Sequence, residues 1–87
     1  MNFRVVWNRT ELRELASICL RVPDRKAVAT AANFIERMLM MDPHSAGKPL
    51  KRRYRRLFVT PLTVEFKIDD VNRVVTILRL QLGDHSI

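Results

Sequence analysis

The sequence is poor in the residues that mark several common classes of small protein. Of its 87 residues only Cys19 is a cysteine, so an intrachain disulfide framework and a cysteine-based zinc site are excluded. Two glycines and four prolines are too few for a low-complexity chain, and 47% hydrophobic residues are typical of a folded one. No apolar run approaches the roughly 20 residues of a membrane span. We therefore expect one cytoplasmic domain over residues 1–87, with no membrane contact, metal or cofactor.

Positive charge is abundant. Sixteen Lys and Arg residues against nine Asp and Glu residues give a formal net charge of +7. Six of the nine residues at 48–56 are cationic, and this run leads directly into the apolar stretch 57–59. A solvated tail would be flanked by polar, low-complexity sequence, whereas here the cations are attached to a predicted strand. The run therefore predicts binding of a polyanion, most simply a nucleic acid, with an acidic protein partner as the alternative.

The chain begins with a predicted strand that passes into a helix. Residues 3–7 are β-rich and apolar, and Asn8 with Glu11 three residues later has the form of an N-cap with an acidic partner. The residues at core spacing in this first helix are Leu12, Leu15, Ala16 and Cys19. Cys19 is thus interpreted as a small core residue and not as a nucleophile.

A second helix follows without a long connection. Pro23 ends the first helix, Asp24 caps the second, and Asp42-Pro43 closes it, because a residue before proline avoids the α region. Its predicted core residues are Val28, Ala31, Ala32, Ile35, Met38 and Leu39. Residues 44–50 are then predicted as a loop.

From residue 53 the hydrophobic period changes from 3.6 to 2. Residues 62, 64, 66 and 68 are apolar and alternate with polar residues, which predicts a strand with one buried face. Strands at 54–59 and 73–82 flank it across short turns, and residues 83–87 are predicted to be a loose tail. The predicted fold class is α+β with the order β-α-α-β-β-β, in which a two-helix hairpin packs on one face of a mainly antiparallel sheet.

The alternation also assigns side chains of the strand at 54–59 to opposite faces. If Leu57 and Val59 face the helices, Arg55 shares their side and Arg56 points to the open face of the sheet. Glu65 or Lys67 from the neighbouring strand would lie beside Arg56. A one-residue bulge would exchange the two arginines, so both remain candidates.

The element order, the size and four sequence stretches resemble the RelE/ParE superfamily of toxins from bacterial toxin–antitoxin modules. The stretches are residues 42–47, Arg55-Arg56-Leu57, residues 61–69 and residues 73–78. The resemblance implies a small basic protein that is held inactive by an antitoxin from the adjacent gene. It also implies one of two activities, cleavage of messenger RNA on the ribosome or inhibition of DNA gyrase. Both activities occur on the same fold, so the fold does not decide between them.

We take the ribosome-dependent mRNA endoribonuclease as the leading hypothesis. The alternatives are a ParE-like inhibitor of DNA gyrase and a non-catalytic member that binds its antitoxin and helps to repress the operon. In the RNA-cleaving members, basic residues on the sheet and the preceding loop promote attack of a 2′-hydroxyl on the adjacent phosphate. Such a reaction requires a proton acceptor, fixed positive charge and a donor for the leaving oxygen.

The resemblance assigns these roles to particular residues. Arg55 or Arg56 would stabilise the charge of the phosphorane, because a guanidinium can bind two phosphoryl oxygens at once. The candidates for proton transfer are His85, which follows the last strand, and Glu65 on the sheet. The predicted RNA-binding residues are Lys48, Lys51, Arg52, Arg53, Tyr54 and Arg79. Tyr54 either stacks on a base or packs on the sheet.

Overall fold

The computed structural model describes residues 2–83, which form two helices on one face of a five-stranded sheet. In chain order the elements are β1 (Arg4–Trp7), α1 (Arg9–Arg21), α2 (Arg25–Met41), a 3₁₀ turn (Pro43–Ser45), β2 (Lys48–Lys51), β3 (Tyr54–Val59), β4 (Leu62–Asp69) and β5 (Val74–Leu82). The strand order across the sheet is β1-β5-β4-β3-β2. β1 pairs in parallel with β5, and the other pairings are antiparallel. The predicted α+β class and element order are confirmed, with one strand more than expected.

The additional strand, β2, lies in the segment predicted as a loop. All four of its residues are exposed, so the sequence has no apolar alternation there to reveal a strand. Pro49 lies within it, and proline is tolerated in a strand only at an edge, where its missing N–H is not needed by a neighbour. β2 is an edge strand that pairs with β3, with a register shift between Pro49 and Lys51. The prediction of a loop over residues 44–50 was therefore wrong from Lys48 onward.

The predicted inner face of α1 is wrong at two of its four positions. Leu12 is 50% exposed and Ala16 is also exposed, whereas Glu11 and Ile18 are buried. Leu15 and Cys19 are half-buried and pack against the core, as predicted. The sequence carries two overlapping apolar stripes at helical spacing, and packing on β5 selects the one that includes Ile18. Asn8 occupies the N-cap position, but its side chain forms no capping hydrogen bond.

α2 lies where the sequence predicts it. The carboxylate of Asp24 accepts a hydrogen bond of 3.1 Å from the backbone N–H of Ala27, and the helix ends at Met41, directly before Asp42-Pro43. Its fully buried residues, Val28, Ile35 and Leu39, pack with the inner face of the sheet in one core. The apolar residues of that inner face are Leu57, Leu62, Val64, Phe66, Ile68, Val75, Ile77 and Leu80. The opposite face of the sheet carries no helix among residues 2–83, and we call it the open face.

Candidate nucleic-acid interface

A row of charged residues crosses four strands on the open face. Side chains of successive strand residues point to opposite faces of a sheet. Leu57 is buried against the helices, so the side chain of its neighbour Arg56 points away from them. In the sheet register, Lys48 is opposite Arg56, Arg56 is opposite Glu65, and Glu65 is opposite Arg79. Directly opposite residues share a face, with their Cβ atoms about 4.5–5.5 Å apart. We call these four residues the charged row; Arg56 and Arg79 flank the carboxylate of Glu65, and Lys48 lies beyond Arg56.

An ion pair occupies the centre of the charged row. The Nη2 atom of Arg56 donates to Oε2 of Glu65 at 2.9 Å, and the two side chains are only 27% and 19% exposed. Partial burial reduces screening by solvent and salt, so this pair holds its geometry better than a fully exposed one. The guanidinium of Arg56 is thereby fixed over the sheet beside the other cations.

A second row lies on the same face, two residues from Arg56 along β3, and places an aromatic ring between two lysines. Lys51 is opposite Tyr54, and Tyr54 is opposite Lys67. The Nζ atoms of Lys51 and Lys67 lie 5.3 Å and 6.0 Å from the centroid of the Tyr54 ring. Both distances are within the range of cation–π attraction. Tyr54 is half-buried, so it packs on the sheet and still presents part of its ring, flanked by cations.

Arg55 has a different position from Arg56. Its Nε donates to the carbonyl of Ala46 at 2.8 Å and its Nη2 donates to the carbonyl of Gly47 at 3.0 Å. β3 pairs with β4 one residue to one residue along its whole length, so no bulge exchanges the faces of the two arginines. Arg55 therefore ties the segment before β2 to β3, and Arg56 is the arginine of the open face.

Gly47 allows this segment to lie against β3. Its φ of +65° is in the left-handed region, and a Cβ built there would lie 2.0 Å from the carbonyl oxygen of Arg56. Only glycine fits such a backbone conformation and such a close approach. The position of Lys48, the next residue, depends on this contact.

Arg79 reaches the open face because β5 contains a bulge. Glu65 is opposite Arg79 while Phe66 is opposite Ile77, so Leu78 is an extra residue on β5. By plain alternation Arg79 would share the buried face of Ile77. The bulge turns Arg79 outward, where it is exposed, and completes the charged row.

Among the predicted RNA-binding residues, Arg52 and Arg53 are not brought into either row. Arg52 and Arg53 lie in the exposed turn between β2 and β3, and Arg53 has a φ of 67°. The carbonyl of Arg53 accepts a hydrogen bond from the N–H of Ile68 at 2.9 Å, so its backbone ties this turn to β4. His85 lies outside the described residues. Lys67, which the sequence placed near Arg56, is instead opposite Tyr54.

A groove beside Arg56 was not anticipated. It has a volume of about 400 Å³ and is lined by Gly47, Lys48, Pro49, Leu50, Arg56, Leu57 and Phe58. Leu50 and Phe58 are large apolar side chains that remain 43% and 41% exposed. Alternation along β3 predicts that Phe58 lies on the same face as Arg56 and Tyr54, but nothing in the sequence indicates the groove itself.

Other kinds of site find little support in the part of the chain that is described. Among residues 2–83 no group of three or more His, Cys, Asp and Glu side chains could hold a metal ion. Neither helix of this part is long and apolar enough to cross a membrane. Within residues 2–83, hydrogen bonds from the side chain and the backbone of Asn72 lower the pKa of the Asp69 carboxyl.

Two solved structures are similar to this chain over nearly its whole length. One is a chain of the toxin–antitoxin complex RelBE2 from Mycobacterium tuberculosis, with a TM-score of 0.76, 25% identity, and coverage of 94% of this chain and 92% of that one. The other is a chain of the chromosomal ParDE toxin–antitoxin system from P. aeruginosa, with a TM-score of 0.72, 17% identity, and coverage of 94% and 97%. No protein-family model and no curated protein sequence matches the chain.

Proposed function

The chain belongs by its fold to the RelE/ParE superfamily of toxins, and from this premise we propose that it is the toxin of a type II toxin–antitoxin module that cleaves messenger RNA on the ribosome. The observation that carries the proposal is the charged row, in which Lys48 and Glu65 lie on either side of Arg56 and Arg79 lies beyond Glu65 on the open face. Three cations on neighbouring strands, with Arg56 held in place by its ion pair, suit a phosphate whose negative charge grows during the reaction.

The proposed reaction is an intramolecular transesterification. The 2′-oxygen of one ribose attacks the adjacent phosphorus, a new O–P bond forms, and the bond from phosphorus to the 5′-oxygen of the next nucleotide breaks. The products are a 2′,3′-cyclic phosphate and a 5′-hydroxyl. Arg56 binds two non-bridging oxygens of the phosphorane, and Lys48 and Arg79 add positive charge on either side.

Two proton transfers accompany the attack. The 2′-hydroxyl loses its proton to a base, and the 5′-oxygen receives one as it leaves. Glu65 is the proposed base, because its carboxylate lies in the charged row and is 2.9 Å from the guanidinium that binds the phosphate. His85 is the proposed donor to the leaving oxygen.

The proposed antitoxin binds a different surface, on the outer side of α2. Phe34 is 52% exposed there, Met41 is 66% exposed, and grooves lie on both sides of Phe34. Each groove also has one cation and one carboxylate in its lining, Arg37 with Asp42 and Lys26 with Asp24, so a suitable partner is an amphipathic segment whose apolar side chains cover Phe34 and Met41. Obligate complexes of this kind bury on the order of 2,000 Å² or more in total, and the antitoxin should raise the melting temperature of the toxin.

Replacement of Arg56 tests the ribonuclease directly. Arg56→Ala removes a group that acts mainly in the transition state, so cleavage on programmed ribosomes should fall about a hundredfold, equivalent to roughly 3 kcal/mol. Arg56→Lys should recover only part of the activity, because an ammonium cannot bind two oxygens in the same way. Arg13→Ala, an equal loss of charge on the exposed side of α1, should leave cleavage unchanged.

The outcome in cells separates this function from the alternatives. Induction of the wild-type chain should arrest translation in pulse labelling and leave cut transcripts. Arrest with intact transcripts and accumulating DNA breaks would overturn the proposal in favour of gyrase inhibition. Normal growth, with repression of the operon, would instead indicate the non-catalytic co-repressor.

A further inference from the structure

We propose that a cavity between the start of α1 and the end of β5 binds an alkylammonium group, either the side chain of a lysine from a partner protein or one end of a polyamine. The cavity has a volume of about 230 Å³ and is lined by Thr10, Glu11, Glu14, Arg79, Leu80 and Gln81. This inference goes beyond the proposed function and does not rest on it, since the proposed cleavage makes no use of Glu11.

The buried carboxylate of Glu11 is the observation that carries the inference. Glu11 is only 9% exposed, and it is the one charged residue among the buried residues of the range 2–83. Its side chain forms no hydrogen bond and no ion pair with any residue of that range. A carboxylate withdrawn from water without a partner is costly, so such groups are usually paired. Glu11 lines the cavity, where a ligand can supply the missing partner.

The position of Glu11 in its own helix does not supply this partner. A glutamate three residues after the N-cap can accept a hydrogen bond from the backbone N–H of the N-cap residue. Here the N-cap is Asn8, and no such bond forms between Asn8 and Glu11. The positive end of the helix dipole attracts acidic residues of the first turn, but it does so at exposed positions as well. The dipole therefore does not explain why this carboxylate is buried.

The early end of β1 makes room for the cavity. β1 pairs with β5 only as far as Trp7, which is opposite Ile77, and α1 begins at Arg9. Residues 79–81 of β5 continue past β1, and the described sheet has no other strand on that side of them. The first turns of α1 lie beside this uncovered stretch and form the other wall of the cavity.

The lining favours an ammonium group on a short alkyl chain. An ammonium group has three hydrogen-bond donors, and the carboxylate of Glu11, the hydroxyl of Thr10 and the amide oxygen of Gln81 can accept them. Leu80 adds an apolar surface for the alkyl chain. The volume is smaller than the roughly 300–1,000 Å³ of pockets for whole drug-sized ligands, so it suits one side chain or a slender amine.

Neither of the other charged residues in the lining replaces Glu11 as the binding group. The carboxylate of Glu14 already accepts a hydrogen bond from Arg21 at 3.0 Å. Arg79 is exposed and lies opposite Glu65 in the charged row, so solvent screens its repulsion of a cation in the cavity. A metal ion suits the cavity less well, because no three His, Cys, Asp or Glu side chains within residues 2–83 could hold one.

Titration with Nα-acetyl-lysine amide tests the site on the full chain, with backbone amide shifts followed by NMR. Saturable shifts should be confined to residues 10–14 and 79–81. Glu11→Gln keeps the size of the side chain and removes its charge, so it should weaken binding roughly 10- to 150-fold, as expected for one charge-assisted hydrogen bond. Glu36→Gln makes the same charge change at an exposed position of α2 and should bind like wild type.

A neutral probe keeps the test independent of any variant. The same lysine amide with its side-chain nitrogen acetylated carries no charge, and it should cause no saturable shift in the wild-type chain. Equal shifts with the charged and the neutral amide would overturn the inference. So would stronger binding of Mg²⁺ than of the charged amide at equal ionic strength, which would indicate a metal site instead.

The melting temperature of unliganded Glu11→Gln separates a role in binding from a role in the fold. Loss of an unpaired buried charge should leave the melting temperature equal to or above that of wild type. A marked fall would assign the carboxylate to the stability of the fold and refute the inference.

Cadaverine distinguishes the two sources of the ammonium group. Tighter binding of Nα-acetyl-lysine amide than of cadaverine would assign the cavity to a lysine of a partner protein, and the reverse order would assign it to a polyamine. Absence of saturable shifts with both probes would refute the inference.

Discussion

Glu65→Gln probes the ion pair at the centre of the charged row. In the free protein, Oε2 of Glu65 accepts a hydrogen bond from Nη2 of Arg56 at 2.9 Å, so an incoming phosphate must compete with this carboxylate for the guanidinium. Glutamine keeps the size of the side chain and removes its charge. We expect the variant to bind RNA more tightly and to cleave it more slowly, because the guanidinium is released while the proposed base is lost.

The expected gain in RNA affinity follows from the change of partner at Arg56, from the Glu65 carboxylate to a phosphate. A hydrogen bond to a charged group contributes about 1.5–3 kcal/mol. In the wild-type protein, the cost of breaking the Arg56–Glu65 pair offsets part of the free energy gained when Arg56 binds a phosphate. A net gain of about 1–2 kcal/mol, or roughly 5- to 30-fold in affinity at low salt, is expected. One additional phosphate contact should also steepen the dependence of log affinity on log salt by about 0.7. The loss of stability should be small, about 0.2–1 kcal/mol for a cross-strand pair.

Fluorescence anisotropy with a short single-stranded RNA at several salt concentrations measures both quantities. Elution from a heparin column gives the same comparison without any nucleic acid. The matched control is Glu14→Gln, which makes an identical charge change in a residue that is also paired with an arginine, Arg21 at 3.0 Å, but on α1. If Glu65→Gln binds no more tightly than Glu14→Gln, with the same salt slope, then Glu65 does not compete with the phosphate and the reasoning fails.

Three further substitutions have defined outcomes. Gly47→Ala should destabilise the fold by at least about 2 kcal/mol, through the positive φ and the contact with the Arg56 carbonyl, and a melting temperature equal to wild type would contradict this. Arg55→Ala should lower the free energy of unfolding by roughly 1.5–3 kcal/mol, whereas Arg56→Ala should lose cleavage and lower the free energy of unfolding by only about 0.2–1 kcal/mol through its pair with Glu65; equal effects on stability would contradict their separate roles. The pKa of Asp69 is lowered in the fold, so its carboxylate should stabilise the β4–β5 turn near neutral pH, and this stabilisation should be lost as the pH falls through the lowered pKa. Asp69→Asn should remove that part of the pH dependence of the free energy of unfolding. A pH profile of stability identical to wild type would contradict this prediction.

The sequence predicted those parts of the structure that depend on short-range periodicity. Alternation along β3 placed Arg56 on the open face, and the cap and proline signals located α2 at Asp24 and Asp42-Pro43. The same reasoning failed for α1, where two apolar stripes overlap and only packing on the sheet selects Ile18 over Leu12.

The complete charged row could not be predicted, because it depends on the exact register between consecutive strands and on bulges in two of them. Lys48 lies in an exposed edge strand without apolar alternation, so its pairing with Arg56 has no local signal. Arg79 is displaced from its expected face by the bulge at Leu78, which plain alternation does not reveal. The sequence did place Glu65 or Lys67 beside Arg56, and the β3–β4 register selects Glu65.

The position of β2 at the outer edge of the sheet has a consequence for solubility. An exposed edge strand offers unpaired backbone groups to another chain, and long apolar edges promote aggregation by strand addition. β2 carries Lys48, Pro49 and Lys51 in four residues, a composition that opposes such pairing by charge and by the missing N–H of proline. Lysines that face the proposed RNA therefore also protect the edge, so replacing them with apolar residues should favour self-association as well as weaken the binding of anions.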